Sequence, residues 1–476
     1  MPEGERNLPF FSLRIWVKSD LGISDTAAPV AVILENGFPW LQHWTFFDII
    51  GVYINEESAG VCGHAEKGGV DMIVPKSRID FLDWEMGVFF HFGIRTFYEG
   101  HVDWDMKPMP AEAFYPDALD CGQWIRTAKA GGATYAVLVC KHHDGFANWP
   151  SRYTDYSVAA TPWKGGHGDV VREFTDACRQ YGLKVGLYYS PAQFGSVKMD
   201  ADAYDDYFIN QISELLTGYG KIDYLWFDGC GSEGHTYDTV RITKEIRRLQ
   251  PEILIFNMWD PDTRWIGNEA GIASMTDAPE VNSLAFSVQT DGKDALDEDV
   301  FLPGECDCRI RRNWFYSDGD REALKSLDEL WGLYLCSVGH GCNLLLNIAP
   351  DRRGLIPEAD AARFAELGDR IRQTFSKPLA EFGDFEQAGD CFRAPITQND
   401  LIRYVVIQED LTQGSAVTDF IVNVLPLDYG DAKTVFRGCC IGHKAICPIP
   451  ALRARGIELR IKDAKRDWKI RDIQVF

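Results

Sequence analysis

Short apolar runs that close on a polar residue or a glycine recur along the chain from Asp80 onward. Met86–Gly93, Ala133–Cys140, Leu183–Ser190, Tyr224–Gly229, Ile253–Phe256 and Leu344–Pro350 read as buried strands. Between them the spacing becomes helical. From Asp169 to Tyr181, the apolar Val170, Val171, Phe174, Ala177 and Cys178 share one face, and Gly182 supplies the stop. Asp205–Leu216, Thr239–Leu249 and Glu358–Phe375 are the other expected helices. Strands alternating with helices of this length imply parallel strands joined by helical crossovers. So many consecutive units favour an α/β fold closed as a (β/α)8-like TIM barrel over an open sheet.

After Pro378 the helical spacing stops. Leu401–Ile407, Phe420–Val424 and Gly456–Ile461 are short strand-like runs separated by turn residues, the pattern of a β-sandwich. The expected organisation is an N-terminal extension over residues 1–75, a catalytic barrel over 76–379 and a C-terminal β-sandwich over 380–476. The first seventy or so residues carry apolar clusters with irregular turn signals and no motif. Met72, just before Ile73-Val74-Pro75-Lys76, has the look of an ordinary start, so residues 1–71 are expected to be an unusual appendage or no part of the natural protein.

Composition narrows the function classes. The 48 basic and 71 acidic side chains give a formal net charge of -23, which disfavours binding to a phosphate backbone. The greasiest stretch, Gly37–Ile54, is interrupted by Pro39, Gln42, His43 and Asp48 and does not read as a membrane span. No basic stretch followed by an apolar secretory core is evident, so a cytoplasmic location is expected. The 13 cysteines have no regular spacing, and Cys306-x-Cys308 lacks a second pair at zinc-site spacing. Buried reduced thiols are the expectation.

Candidate chemistry lies where strands feed their following loops, the place where barrels carry it. Asp228 ends the run Tyr224–Phe227, and Trp226, two positions earlier, would share its face and set an indole wall beside the carboxylate. Taken alone, Asp228-Gly229 reads better as an ordinary turn. Glu269, downstream of Ile253–Phe256, is a second carboxylate, and taken alone reads better as a surface loop residue. Glu305 and Asp307 compete with it as acid/base, because a general acid at neutral pH needs burial or a neighbouring carboxylate. Adjacent His142 and His143 would point to opposite faces of a regular strand, which argues for hydrogen bonding at a strand end and against a metal. His91 ends another apolar run. Paired carboxylates among Trp, His and Tyr suit cleavage of a glycosidic bond, with no cofactor.

Phe90–Gly93, Lys141–Phe146, Leu187–Ser190 and Trp226–Gly229, in this order, resemble the α-L-fucosidases of glycoside hydrolase family 29. The likeness runs over roughly residues 78–476 and includes Gln408–Gly414 in the sandwich. Pro261–Glu269 resembles the branch of the family that prefers α-1,3/1,4-linked fucose on Lewis-type glycans. The resemblance implies a retaining exo-α-L-fucosidase with Asp228 as nucleophile and Glu269 as acid/base. It implies that His91, His142, His143, Tyr189 and Trp226 bind the sugar, with Tyr188 as substitute for Tyr189 if the strand register differs. The expected partner is a fucosylated oligosaccharide, with no nucleic acid, membrane or metal. A broad-specificity fucosidase, a metal-dependent barrel hydrolase using His91, His142 and Asp228, and an inactive fucose-binding barrel are the alternatives.

Overall fold

The computed structural model describes residues 72–100, 107–192, 199–232, 234–285, 293–397, 399–428 and 430–476. Almost all of the expected N-terminal extension lies outside them. Ten strands come first in the described chain: β1 Met86–Phe90, β2 Tyr135–Lys141, β3 Lys184–Tyr189, β4 Tyr224–Phe227, β5 Leu254–Phe256, β6 Arg264–Trp265, β7 Glu280–Ala285, β8 Lys293–Phe301, β9 Gly304–Arg309 and β10 Asn343–Asn347. Eight of them form one parallel sheet in the order β5-β4-β3-β2-β1-β10-β9-β6. A parallel bridge between Phe256 and Thr263, with Asn257 N–H donating to Thr263 O at 2.9 Å, joins its two edges. The barrel expected from the alternating pattern is therefore present.

Local sequence explains the elements. In helix Val170–Tyr181 the Asp169 side chain accepts from the Arg172 N–H, and Gly182 ends the helix at φ 75°, in the left-handed region that favours glycine. Helices Cys121–Ala130, Ala201–Gly218 and Thr239–Leu249 follow β1, β3 and β4, while Leu327–Ser337 and Glu358–Thr374 follow β9 and β10. Two crossovers depart from the expected alternation. β5 passes directly into β6, and β6 is followed by the antiparallel pair β7 and β8 instead of a helix. Glu269 thus follows β6, not the run Ile253–Phe256.

Side chains of the strands alternate between two cores. Leu138, Leu187, Tyr189, Leu225 and Leu346 face outward into the layer beneath the helices. Phe89, Tyr135, Tyr188, Tyr224, Trp226, Phe256 and Trp265 face the barrel interior. Phe81, from helix Lys76–Leu82, belongs to this inner core, 5.3 Å from the Tyr224 ring. The interior is packed at that level, so space for a ligand is left where the strands end.

The C-terminal strands are β11 Glu386–Ala388, β12 Cys391–Pro395, β13 Ile402–Glu409, β14 Val417–Leu425, β15 Lys433–Gly438, β16 Ala445–Leu452, β17 Gly456–Ala464 and β18 Ile470–Val475. They form two antiparallel sheets, β11-β12-β17-β14-β15 and β16-β13-β18, around Phe392, Val405, Phe420, Val422, Leu459 and Ile473. The sandwich joins the barrel through Ile446 N–H, which donates to Gly339 O at 3.0 Å, and through an ion pair between Lys444 and Glu85. None of the described helices is long and apolar enough to cross a membrane.

Candidate active site

A cavity of about 200 Å³ opens at the C-terminal ends of the barrel strands. Asp228, His91 and the pair His142 and His143 reach it from the residues immediately after β4, β1 and β2, and Tyr188 reaches it from β3. Glu269 enters from the loop after β6, Asp307 and Arg309 from β9, and Trp314 from just beyond it. The volume suits one monosaccharide, and the wall is aromatic. Trp226 stacks on Phe256 at 4.1 Å and lies 5.4 Å from Tyr188.

Asp228 is held from both oxygens. Tyr188 O–H donates to Oδ2 at 2.7 Å, and the Cys230 N–H donates to Oδ1 at 2.8 Å. His143 Nε2 stands 3.5 Å from Oδ2. The side chain keeps 24% exposure, enough for a substrate atom to reach it. Glu269 is 33% exposed, accepts from Trp314 Nε1–H at 3.3 Å and stands 3.5 Å from the Arg309 guanidinium.

The competing acids lie elsewhere. Glu305 is fully buried and outside the cavity lining. It accepts from Tyr135 O–H at 2.6 Å, Trp226 Nε1–H at 2.9 Å and Tyr224 O–H at 3.2 Å. Burial pushes its carboxyl up to about 7, and no side reaches a ligand. Asp307 does line the cavity, accepting from Trp265 Nε1–H at 2.7 Å. Burial, then the neighbouring Glu269 and Glu305, push its carboxyl well above the ordinary range.

Tyr189, expected to bind the sugar, does not line the cavity. It is fully buried in the outer core, its O–H donates to Gln211 Oε1 at 2.6 Å, and Lys141 Nζ sits 4.4 Å above its ring. Tyr188 takes the cavity position instead, because successive strand residues face opposite sides and the register places Tyr188 level with Trp226. The histidine pair also departs from the expected strand geometry. β2 ends at Lys141, so His142 and His143 lie beyond the regular strand and both enter the cavity, with ring centroids 4.3 Å apart. Together with Asp228 they bring one donor atom each within 4.8 Å of one another, an arrangement that could hold a metal ion. His91 stands apart from that cluster, bonded to Asn347. Burial holds His142 well below its ordinary value and His91 down at about 3, so both rings are neutral at neutral pH.

Sequence reasoning passed over Arg309 and Trp314. The signal for Arg309 was its period-two spacing from Glu305 and Asp307, and Trp314 lies in a loop with no periodicity to read.

The family model described as Alpha-L-fucosidase matches residues 109–374. α-L-Fucosidase 1 of Arabidopsis thaliana is 31% identical over 449 residues, covering 83% of this chain and 86% of that protein. Among solved structures, a glycoside hydrolase 29 family member from an unknown rumen bacterium is similar at TM-score 0.77 and 32% identity, covering 86% of this chain and 78% of its own. A Ruminococcus gnavus family 29 fucosidase in complex with fucose is similar at TM-score 0.75 and 25% identity, covering 87% of this chain and 97% of its own. The barrel, its sandwich and the shared sequence agree: the chain belongs to the α-L-fucosidases of glycoside hydrolase family 29.

Proposed function

We propose that the enzyme releases terminal α-1,3/1,4-linked L-fucose from oligosaccharides or glycoconjugates by a retaining, two-step mechanism. The observation that carries this reading is the placement of Asp228 and Glu269 on one monosaccharide-sized cavity while Glu305 is sealed beneath it. Asp228 attacks the anomeric carbon, and Glu269 protonates the departing glycosidic oxygen. A fucosyl ester on Asp228 results. Glu269, now a carboxylate, takes a proton from water, which attacks the same carbon and frees fucose and the Asp228 carboxylate. Such a pair works at about 5–5.5 Å separation. Tyr188 and the Cys230 N–H hold the nucleophile in place, and Trp226 faces the sugar's apolar side. The linkage rests on the likeness of Pro261–Glu269 to the α-1,3/1,4 branch.

The test is fucose release from an aryl α-L-fucoside, a Lewis-type trisaccharide and an α-1,2-fucosylated lactose, side by side. Release chiefly from the Lewis-type sugar is expected. For Asp228→Ala, kcat on each substrate should fall at least a thousandfold, about 4 kcal/mol of barrel-held transition-state stabilisation. Release from the α-1,2 linkage would keep the fucosidase and remove the linkage; binding of fucose without release would leave an inactive barrel. The donor set of His142, His143 and Asp228 favours one second reading, a metal-dependent hydrolase. Activity unchanged after dialysis against a strong chelator excludes it, and activity lost and restored by a divalent ion establishes it.

A further inference from the structure

Asn347 closes β10, is 1% exposed and does not line the cavity, yet it touches two residues that do. Register places it between Phe89 of β1 and Arg309 of β9. Its Oδ1 accepts from the His91 backbone N–H at 3.3 Å and lies 2.8 Å from His91 Nδ1. Its Nδ2 donates to the Trp314 carbonyl at 2.8 Å. A backbone N–H can only donate and a carbonyl can only accept, so these two contacts fix which end of the amide is oxygen. An amide oxygen has no proton to give. The ring nitrogen beside it must therefore carry one.

We propose that Asn347 is a positioning residue that locks His91 in its Nδ1-protonated form, leaving Nε2 as a bare acceptor for a sugar hydroxyl, and that ties this histidine to the Trp314 segment supporting Glu269. The second half of the link is the Trp314 indole, which lies 4.8 Å from the His91 ring and donates to Glu269 Oε2 at 3.3 Å. One buried amide thus connects a group that grips the sugar to the group that protonates the leaving oxygen. The inference rests on the reading of Glu269 given under Proposed function and on the place of His91 in the cavity lining. Its chemistry is that of an outer hydrogen bond that selects a tautomer and a ring orientation.

The experiment is nitrogen-15 NMR of the full-length protein labelled at histidine, unliganded at pH 7, with the His91 signals identified by their loss in His91→Gln. A protonated Nδ1 and a bare Nε2 are expected; a protonated Nε2 overturns the proposal. Kinetics on an aryl α-L-fucoside then separate the two arms. Asn347→Asp keeps an acceptor for His91 and loses the donor to Trp314. It should retain the protonated Nδ1 and a KM within about twofold while kcat falls about tenfold, the size of one hydrogen bond. Asn347→Leu removes both contacts, so KM should rise about tenfold as well. An Asp variant with unchanged kcat, or with kcat and KM moving together as packing loss would move them, overturns the coupling to Glu269. Because the tautomer is read without substrate, failure of the fucosidase reading, seen as no fucose binding or release by the native protein, is distinguishable from failure here.

Discussion

Tyr188 and Tyr189 are chemically identical neighbours with unrelated tasks. Tyr188 gives its hydroxyl hydrogen to the Asp228 carboxylate, while Tyr189 gives its own to a buried amide in the outer core. A hydrogen bond to a charged group is worth roughly 1.5–3 kcal/mol, so Tyr188→Phe should lower kcat/KM by about 10- to 100-fold and leave the melting temperature nearly unchanged. Tyr189→Phe strands Gln211 Oε1 instead, which should cost about 1–3 kcal/mol of stability in denaturant titrations with kcat/KM within about twofold. The opposite pattern would return the sugar site to Tyr189. The sequence motif Leu187–Ser190 was sufficient to find this pair. Choosing between its members took the register of β3 against β4.

β9 is the element the sequence concealed. Glu305 and Asp307 point into the barrel, and Cys306 and Cys308 point out into apolar surroundings. Its inner face is acidic, so no apolar run marked it as a strand. Four aromatic donors, Tyr135, Tyr224, Trp226 and Trp265, make those acids tolerable inside. The arrangement carries a pH signature. Glu305 is pushed from an ordinary 4.5 to about 7 by burial. Between those values the unfolded chain has released a proton that the folded chain still holds. This group therefore makes stability fall as pH rises from about 4.5 to about 7, with no further change above, a cost of about 3 kcal/mol. Glu305→Gln keeps an acceptor for the aromatic donors and removes that titration. Denaturation at pH 4.5 and pH 7.5 should show the variant gaining on the native protein at the higher pH, and an equal difference at both would refute the assignment.

At the scale of the whole molecule, the barrel and the sandwich meet closely around Gly339. A β-carbon there would lie 2.3 Å from the Leu335 carbonyl oxygen and 3.1 Å from the Ile446 β-carbon. β16 cannot withdraw without breaking the Ile446-to-Gly339 hydrogen bond, and the Leu335 carbonyl belongs to the last turn of helix Leu327–Ser337. Gly339→Ala should therefore destabilise the protein by about 1–3 kcal/mol, read as a lower Tm or denaturant midpoint, since overpacking against backbone has no rotamer to relieve it. An unchanged Tm would show that the joint yields. The same joint is polar at its edge, where Lys444 and Arg471 meet Glu85 and Asp83.

Periodicity carried the fold class and six of the eight barrel strands, because burial imposes a repeat of two on strands and of 3.6 on helices that survives in one dimension. Asp228, Glu269, the three histidines and Trp226 were legible as strand-end polar residues and as motifs resembling family 29. Tertiary structure decided the rest. It placed Glu269 after β6, a strand of two residues too short to announce itself. It set Tyr188 in the cavity, sealed Glu305 beneath it, and brought Arg309, Trp314 and Asn347 to bear on a site far from them along the chain. These outcomes depend on strand register and on which distant groups desolvate one another, and neither is written in the spacing of any one segment.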